Sequence, residues 1–165
     1  MHNKHFTILA LLVAMAITVN LFETMVIPPL AGVFRIGLAN IIALVTLKIL
    51  GYQKMIIVNL MRVIIGTLMS GTFLGTSFWI SLGGVFLSTL VLIFSEKTAA
   101  SLQFTSILSA IAHSLGQVMV VLFFYNQPLI MVILPYFLAL SIPTGFLTAW
   151  IAKIILQRIK FITIK

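Results

Sequence analysis

The chain has 165 residues, of which 62% are hydrophobic and only 7% charged, with a net charge of +8. That leaves too little polar surface to coat a water-soluble domain of this size, and it points to a single integral membrane domain. Cysteine is absent, Asp does not occur and Glu23 and Glu96 are the only acids, which excludes thiolate sites and chemistry that needs clustered carboxylates.

Six apolar segments follow one another: 6–22, 34–50, 55–70, 73–95, 101–124 and 129–155. Each approaches the ~20 residues that a bilayer-spanning helix needs. The breaks carry turn chemistry: Pro28-Pro29 and Gly32, Gly51-Tyr52, Gly71-Thr72, Glu96-Lys97 and Asn126-Gln127-Pro128. The expected fold is therefore all-α, an integral bundle of six transmembrane helices. With six spans, Lys4, Lys48, Lys54, Lys97, Lys153, Arg158, Lys160 and Lys165 fall on one side, which predicts both termini to be cytoplasmic. The same bias explains the net charge without nucleic acid as a partner. Ala14-Met15-Ala16 has the look of a signal-peptidase site but lies inside the first apolar run, so that run reads as a retained span.

The first span carries Ala10 and Ala14, small residues four apart that let another helix approach closely. Glu23 ends it on the outer side. The second segment places Arg35, Gly37 and Asn40 at its head, in the outer half. On the third, Asn59, Arg62, Gly66 and Ser70 share a face; on the fourth, Ser77, Ser81, Gly84 and Ser88; on the fifth, Ser106, Ala110, His113 and Gln117. For the serines and glycines, close helix packing is the simpler reading.

Arg62 demands more. It lies eight residues after Lys54, about 12 Å along a helix, and an unpaired Arg at that depth costs at least ~2.5 kcal/mol. Intramembrane ionisable groups are functional candidates by default. Glu23, Arg35, Asn40, Arg62, His113 and Gln117 are therefore expected to line an outward-facing ligand cavity, with a structural polar network as the alternative. Two guanidinium groups against one carboxylate favour an anionic or carbonyl-rich small molecule. His113 alone makes no metal site. No phosphate-cradling loop, zinc-protease motif, nucleophile elbow or dinucleotide fingerprint occurs, so no catalytic residue and no cofactor is expected, and any ATP must be hydrolysed by another polypeptide.

The segments FRIGLANII (34–42), MRVIIGTLMSGTF (61–73), SLGGVFLS (81–88) and AHSLGQ (112–117), with Gly145 in the last span, resemble the bacterial Gx transporter family, also labelled heptaprenyl diphosphate synthase component I. The resemblance covers roughly residues 25 to 152. Its pattern places a basic residue before Gly-Leu-Ala-Asn, here Arg35, and an Arg at the third-helix motif, here Arg62. Its His-Asn-x-Gly-Gln motif reads His113-Ser114-Leu115-Gly116-Gln117, so a contact made by that Asn is lost or altered here. The family is in turn similar to the substrate-binding S components of energy-coupling factor importers. Those bind vitamins or their precursors and dock on a transmembrane scaffold coupled to ATPase subunits. The resemblance thus implies a transmembrane scaffold and ATPases as partners, besides membrane lipids and a small-molecule substrate. In S components an Ala-x-x-x-Ala on the first helix contacts the scaffold, which Ala10 and Ala14 match. The enzyme label implies an alternative, a noncatalytic accessory subunit of isoprenoid diphosphate synthesis. Prenyl chain elongation itself uses Asp-rich magnesium motifs, which a chain without Asp cannot carry. A self-contained channel is the third reading, and no repeat of broken helices supports it.

Overall fold

The computed structural model describes residues 2–26, 37–98 and 100–163, and every regular element among them is helical. The helices are α1 (His2–Val26), α2 (Asn40–Leu50), α3 (Tyr52–Met69), α4 (Thr76–Lys97), α5 (Leu102–Met119) and α6 (Ile130–Thr163), with a π-helical turn, Val120–Phe124, continuing α5. Five of these segments are long and apolar enough to cross a membrane. The six expected segments thus correspond to six helices, but the second is different in kind. Its α-helical part has 11 residues, about 16 Å, roughly half a bilayer. Residues 34–36 of the expected span lie outside the described residues, and residues 37–39 form a turn.

Sequence explains where α2 starts and stops. Gly37 adopts φ +79° and Gly51 φ +80°, a region that costs a side chain and suits glycine. The Gly37 carbonyl accepts from the Asn40 N–H at 2.8 Å and closes the first turn, and the Gly51 N–H donates to the Leu47 carbonyl at 3.1 Å and closes the last. Gly51 then leads directly into α3, whose first residue is Tyr52.

The eight residues Asn40–Leu47 of α2 are all buried, so these two turns have no exposed side, and exposure begins at Lys48. Such an all-round apolar helix belongs in the centre of a bundle. It packs with Leu12 and Ala16 of α1, Met55 and Val58 of α3, Leu92 of α4 and Ala152 of α6. The longer helices have the opposite pattern. On α3 the buried residues are Met55, Val58, Asn59, Arg62, Val63, Gly66 and Thr67, one stripe at helical spacing. Large apolar side chains such as Phe22, Phe86, Phe94, Phe123 and Trp150 point outward. Polar groups gather inside and apolar ones outside, as a membrane solvent requires. This is the architecture of a multi-pass membrane protein.

The tightest seam joins α4 and α5. A Cβ on Gly116 would fall on the Gly83 carbonyl oxygen and 3.0 Å from the Gly84 Cα, so the two backbones touch. A stripe of hydroxyls joins α5 to α6. Ser106 donates to the Gly145 carbonyl at 2.7 Å and shares a 2.7 Å hydrogen bond with Thr148, and Ser114 pairs with Ser141 at 2.6 Å. Inside α6 sit Pro135 and Pro143, which remove two backbone bonds. Ser141 Oγ donates to the Phe137 carbonyl at 2.7 Å within that stretch. At the end of α5, Trp79 stacks on Phe124 of the π turn, with ring centres 5.4 Å apart.

Candidate functional site

The site is built around the N-terminus of α2. A helix that begins in the bundle interior leaves its first N–H groups pointing at whatever lies ahead of it, with a partial positive charge. Here Glu23, 3% exposed, supplies the answer. Its Oε1 accepts from the Gly37 N–H at 2.6 Å and its Oε2 from the Leu38 N–H at 3.0 Å. Glu23 does not end α1, as the sequence led us to expect; the helix runs on to Val26. The extra turn leaves the carboxylate inside the helix, facing α2 rather than solvent.

Arg62 is also 3% exposed and donates through Nη2 to the Asn40 Oδ1 at 2.9 Å. It therefore reaches the first residue of the same half-helix that Glu23 caps. Glu23 and Arg62 both line a chamber with Asn20, Thr67, Ser81 and His113, walled by Gly37, Ala39, Val63 and Val85. The chamber measures about 20 Å³, room for about one water molecule. Two larger clefts, of about 260 and 340 Å³, lie against apolar side chains: Leu60, Phe86 and Leu90 in one, Phe6, Leu9 and Met61 in the other. The chemistry is in the small chamber, because the charges are there.

Of the residues singled out in the sequence, Glu23, Arg62 and His113 line the chamber and Asn40 is bonded to one of its walls. Gln117 is fully buried, one turn beyond His113 on α5. Arg35 lies outside the described residues. His113 and Gln117 both abut Gly84: a Cβ there would sit 2.8 Å from His113 Cε1 and 2.9 Å from Gln117 Cγ. Gly84 is thus the space into which the two side chains pack. Ala10 and Ala14 are exposed and line the 340 Å³ cleft between α1 and α3. Among the described residues no three His, Cys, Asp or Glu side chains gather to hold a metal.

Sequence reasoning missed Asn20, Thr67 and Ser81 as chamber residues. Asn20 sits three residues before Glu23, and a Cβ on Gly66 would lie 2.7 Å from its Nδ2. The spacing Asn20–Glu23 on α1, facing a glycine on α3, was the available signal. Ser114 has the opposite lesson. Its hydroxyl pairs with Ser141 on α6, so this position serves the α5–α6 seam and not the chamber. Asn59, on the Arg62 face, donates to Thr89 Oγ1 at 2.9 Å and ties α3 to α4.

Replacing Glu23 with Gln keeps the shape but removes the charge and turns one acceptor into a donor facing the Gly37 and Leu38 N–H groups. The expected cost is about 1–3 kcal/mol, read as a lower melting temperature in detergent. Glu23→Asp, which keeps the charge but shortens the reach, should fall between the two.

Fold and site together define a helical membrane protein with a small, charged chamber at the head of a central half-helix. The chain belongs to the heptaprenyl diphosphate synthase component I family, whose model matches residues 12–155. Nothing among the curated proteins or the solved structures matches it.

Proposed function

We propose that the protein is the substrate-binding membrane subunit of an importer for a small molecule such as a vitamin or a precursor, energised by ATPase subunits on separate chains. The observation that carries this reading is the chamber itself. In lipid-embedded bundles, discontinuous helices whose N-termini face a polar cavity are a recurring way to hold an anionic substrate group. Here the half-helix α2, Arg62 and the polar side chains of Asn20, Thr67 and Ser81 meet at one such point. Glu23 already occupies the Gly37 and Leu38 N–H groups just ahead of α2, and the chamber holds about one water molecule, so an incoming carboxylate or phosphate has to displace Glu23 and open the chamber.

In this reading Arg62, Asn40, His113, Gln117, Glu23 and Arg35 form the ligand site. The cleft bearing Ala10 and Ala14 receives a helix of the transmembrane scaffold. Both termini are cytoplasmic: Lys48, Lys54, Lys97, Lys153 and Arg158 are all exposed, and the first three sit at the α2–α3 junction and the last turn of α4. In this reading the protein is not itself a catalyst, and ATP is hydrolysed on the partner chains. The family description favours a second reading, a noncatalytic membrane subunit that assists isoprenoid diphosphate synthesis.

The test is co-purification. Mass spectrometry of the detergent-solubilised protein should find a small anionic molecule on the wild type and lose it in Arg62→Ala. A pull-down separates the readings: a scaffold protein with ATPases supports the importer, and a soluble prenyl synthase in their place sinks it.

A further inference from the structure

Gln117 has no exposed surface, and among the described residues neither its Oε1 nor its Nε2 has a hydrogen-bond partner. A buried amide lacking both bonds is costly, and native structures keep few such groups. In a helix facing lipid the cost is not relieved by bulk water. The position is also not one that packing forced. An apolar side chain of the same length, such as Met, would fill the space beside Gly84 without the penalty.

We infer that Gln117 determines which anions the chamber accepts, by pairing with a lactam or cis-amide edge of the substrate. This rests on the importer reading above. A primary amide offers one donor and one acceptor side by side. The group that satisfies both at once is another amide whose N–H and C=O lie on one edge, as in a uracil-type or pterin-type ring. His113, one turn away on the same face of α5, lines the chamber and shares Gly84 as a neighbour with Gln117. Gln117 does not itself line the chamber, so the His113 ring has to move aside as the substrate opens the chamber. The substrate class is then a small molecule with an acidic group at the α2–Arg62 end and a lactam ring at the Gln117 end.

The experiment compares three probes on the purified, ligand-stripped full chain. Orotate carries a carboxylate and a lactam edge, benzoate the carboxylate alone, and uracil the lactam alone. Orotate should bind wild type at least tenfold more tightly than either of the others, by equilibrium dialysis or thermal shift. Gln117→Met should reduce orotate about 10- to 100-fold, to the benzoate level, and leave benzoate unchanged. The empty Gln117→Met protein should melt no lower than wild type, because a buried amide without partners has been removed. Orotate binding no better than benzoate to wild type overturns the inference, as does equal orotate binding by Gln117→Met. A lower melting temperature of the empty variant also overturns it, since the amide is then structural. Carboxylate probes that bind wild type and Arg62→Ala equally overturn the anion site itself, which is a separate failure. If Gln117→Met does not fold, the wild-type comparison of the three probes decides.

Discussion

Arg62→Ala is expected to weaken ligand binding severely and to lower stability at the same time. The guanidinium is buried and holds the Asn40 side chain. It also shares a 20 Å³ chamber with the Glu23 carboxylate. Removing it leaves the buried Asn40 Oδ1 without its charged donor, a loss of ~1.5–3 kcal/mol for a hydrogen bond to a charged group. Much of that cost falls on the empty protein, so the melting temperature in detergent should drop. A substrate anion loses its charge-assisted bonds as well. At ~1.5–3 kcal/mol for a hydrogen bond to a charged group, affinity should fall by roughly tenfold to more than a hundredfold. Arg62→Lys separates the two effects. It restores the charge and part of the stability, but its point-like ammonium does not reproduce a planar fork. Stability recovered with affinity still lost would show that Arg62 binds ligand. Affinity that tracks stability through both variants would show that it only holds the bundle together.

Gly116→Val is expected to have the largest effect on folding. The added Cβ would meet the Gly83 carbonyl oxygen and the Gly84 Cα, both backbone atoms that cannot rotate away. Overpacking among side chains costs ~1–3 kcal/mol, and a backbone contact should exceed that range, because α4 and α5 must separate. Separation also removes Gly84 from beneath His113 and Gln117. The variant should elute as aggregate or melt far below wild type on size exclusion and thermal unfolding. Val at Gly71, where no neighbouring atom lies within 4 Å, is the contrast. Its φ of +68° should give only a conformational cost of about 1–2 kcal/mol. Equal losses at the two positions would refute the close-contact explanation.

The outward character of this protein was legible in its sequence. Runs of apolar residues define helices wherever the solvent is lipid, since every backbone group must be bonded within its own segment. The seams were legible too: Ser77, Ser81, Gly84 and Ser88 recur at helical spacing, and the structure buries Ser81, Gly84 and Ser88 against a neighbour. Arg62 announced itself because a charge in an apolar run has few explanations. Glu23, however, looked like the end of a helix. Its role depends on two N–H groups 14 and 15 residues away, and local periodicity carries no information at that range.

What the sequence determined by itself was therefore the solvent, the number of helices, the breaks from α2 onward (Pro28-Pro29 and Gly32 lie outside the described residues) and the handful of polar residues that lipid makes costly. Each follows from spacing and composition over a few turns of chain. Only the tertiary structure decided that the second segment contributes a half-helix whose first two turns are buried on all sides, that Glu23 and Arg62 meet at its head, and that the Gln117 amide lies buried beside His113. Those facts arise where α1, α2, α3, α4 and α5 converge. A chamber exists only between helices, so its contents are set by which faces the packing brings together.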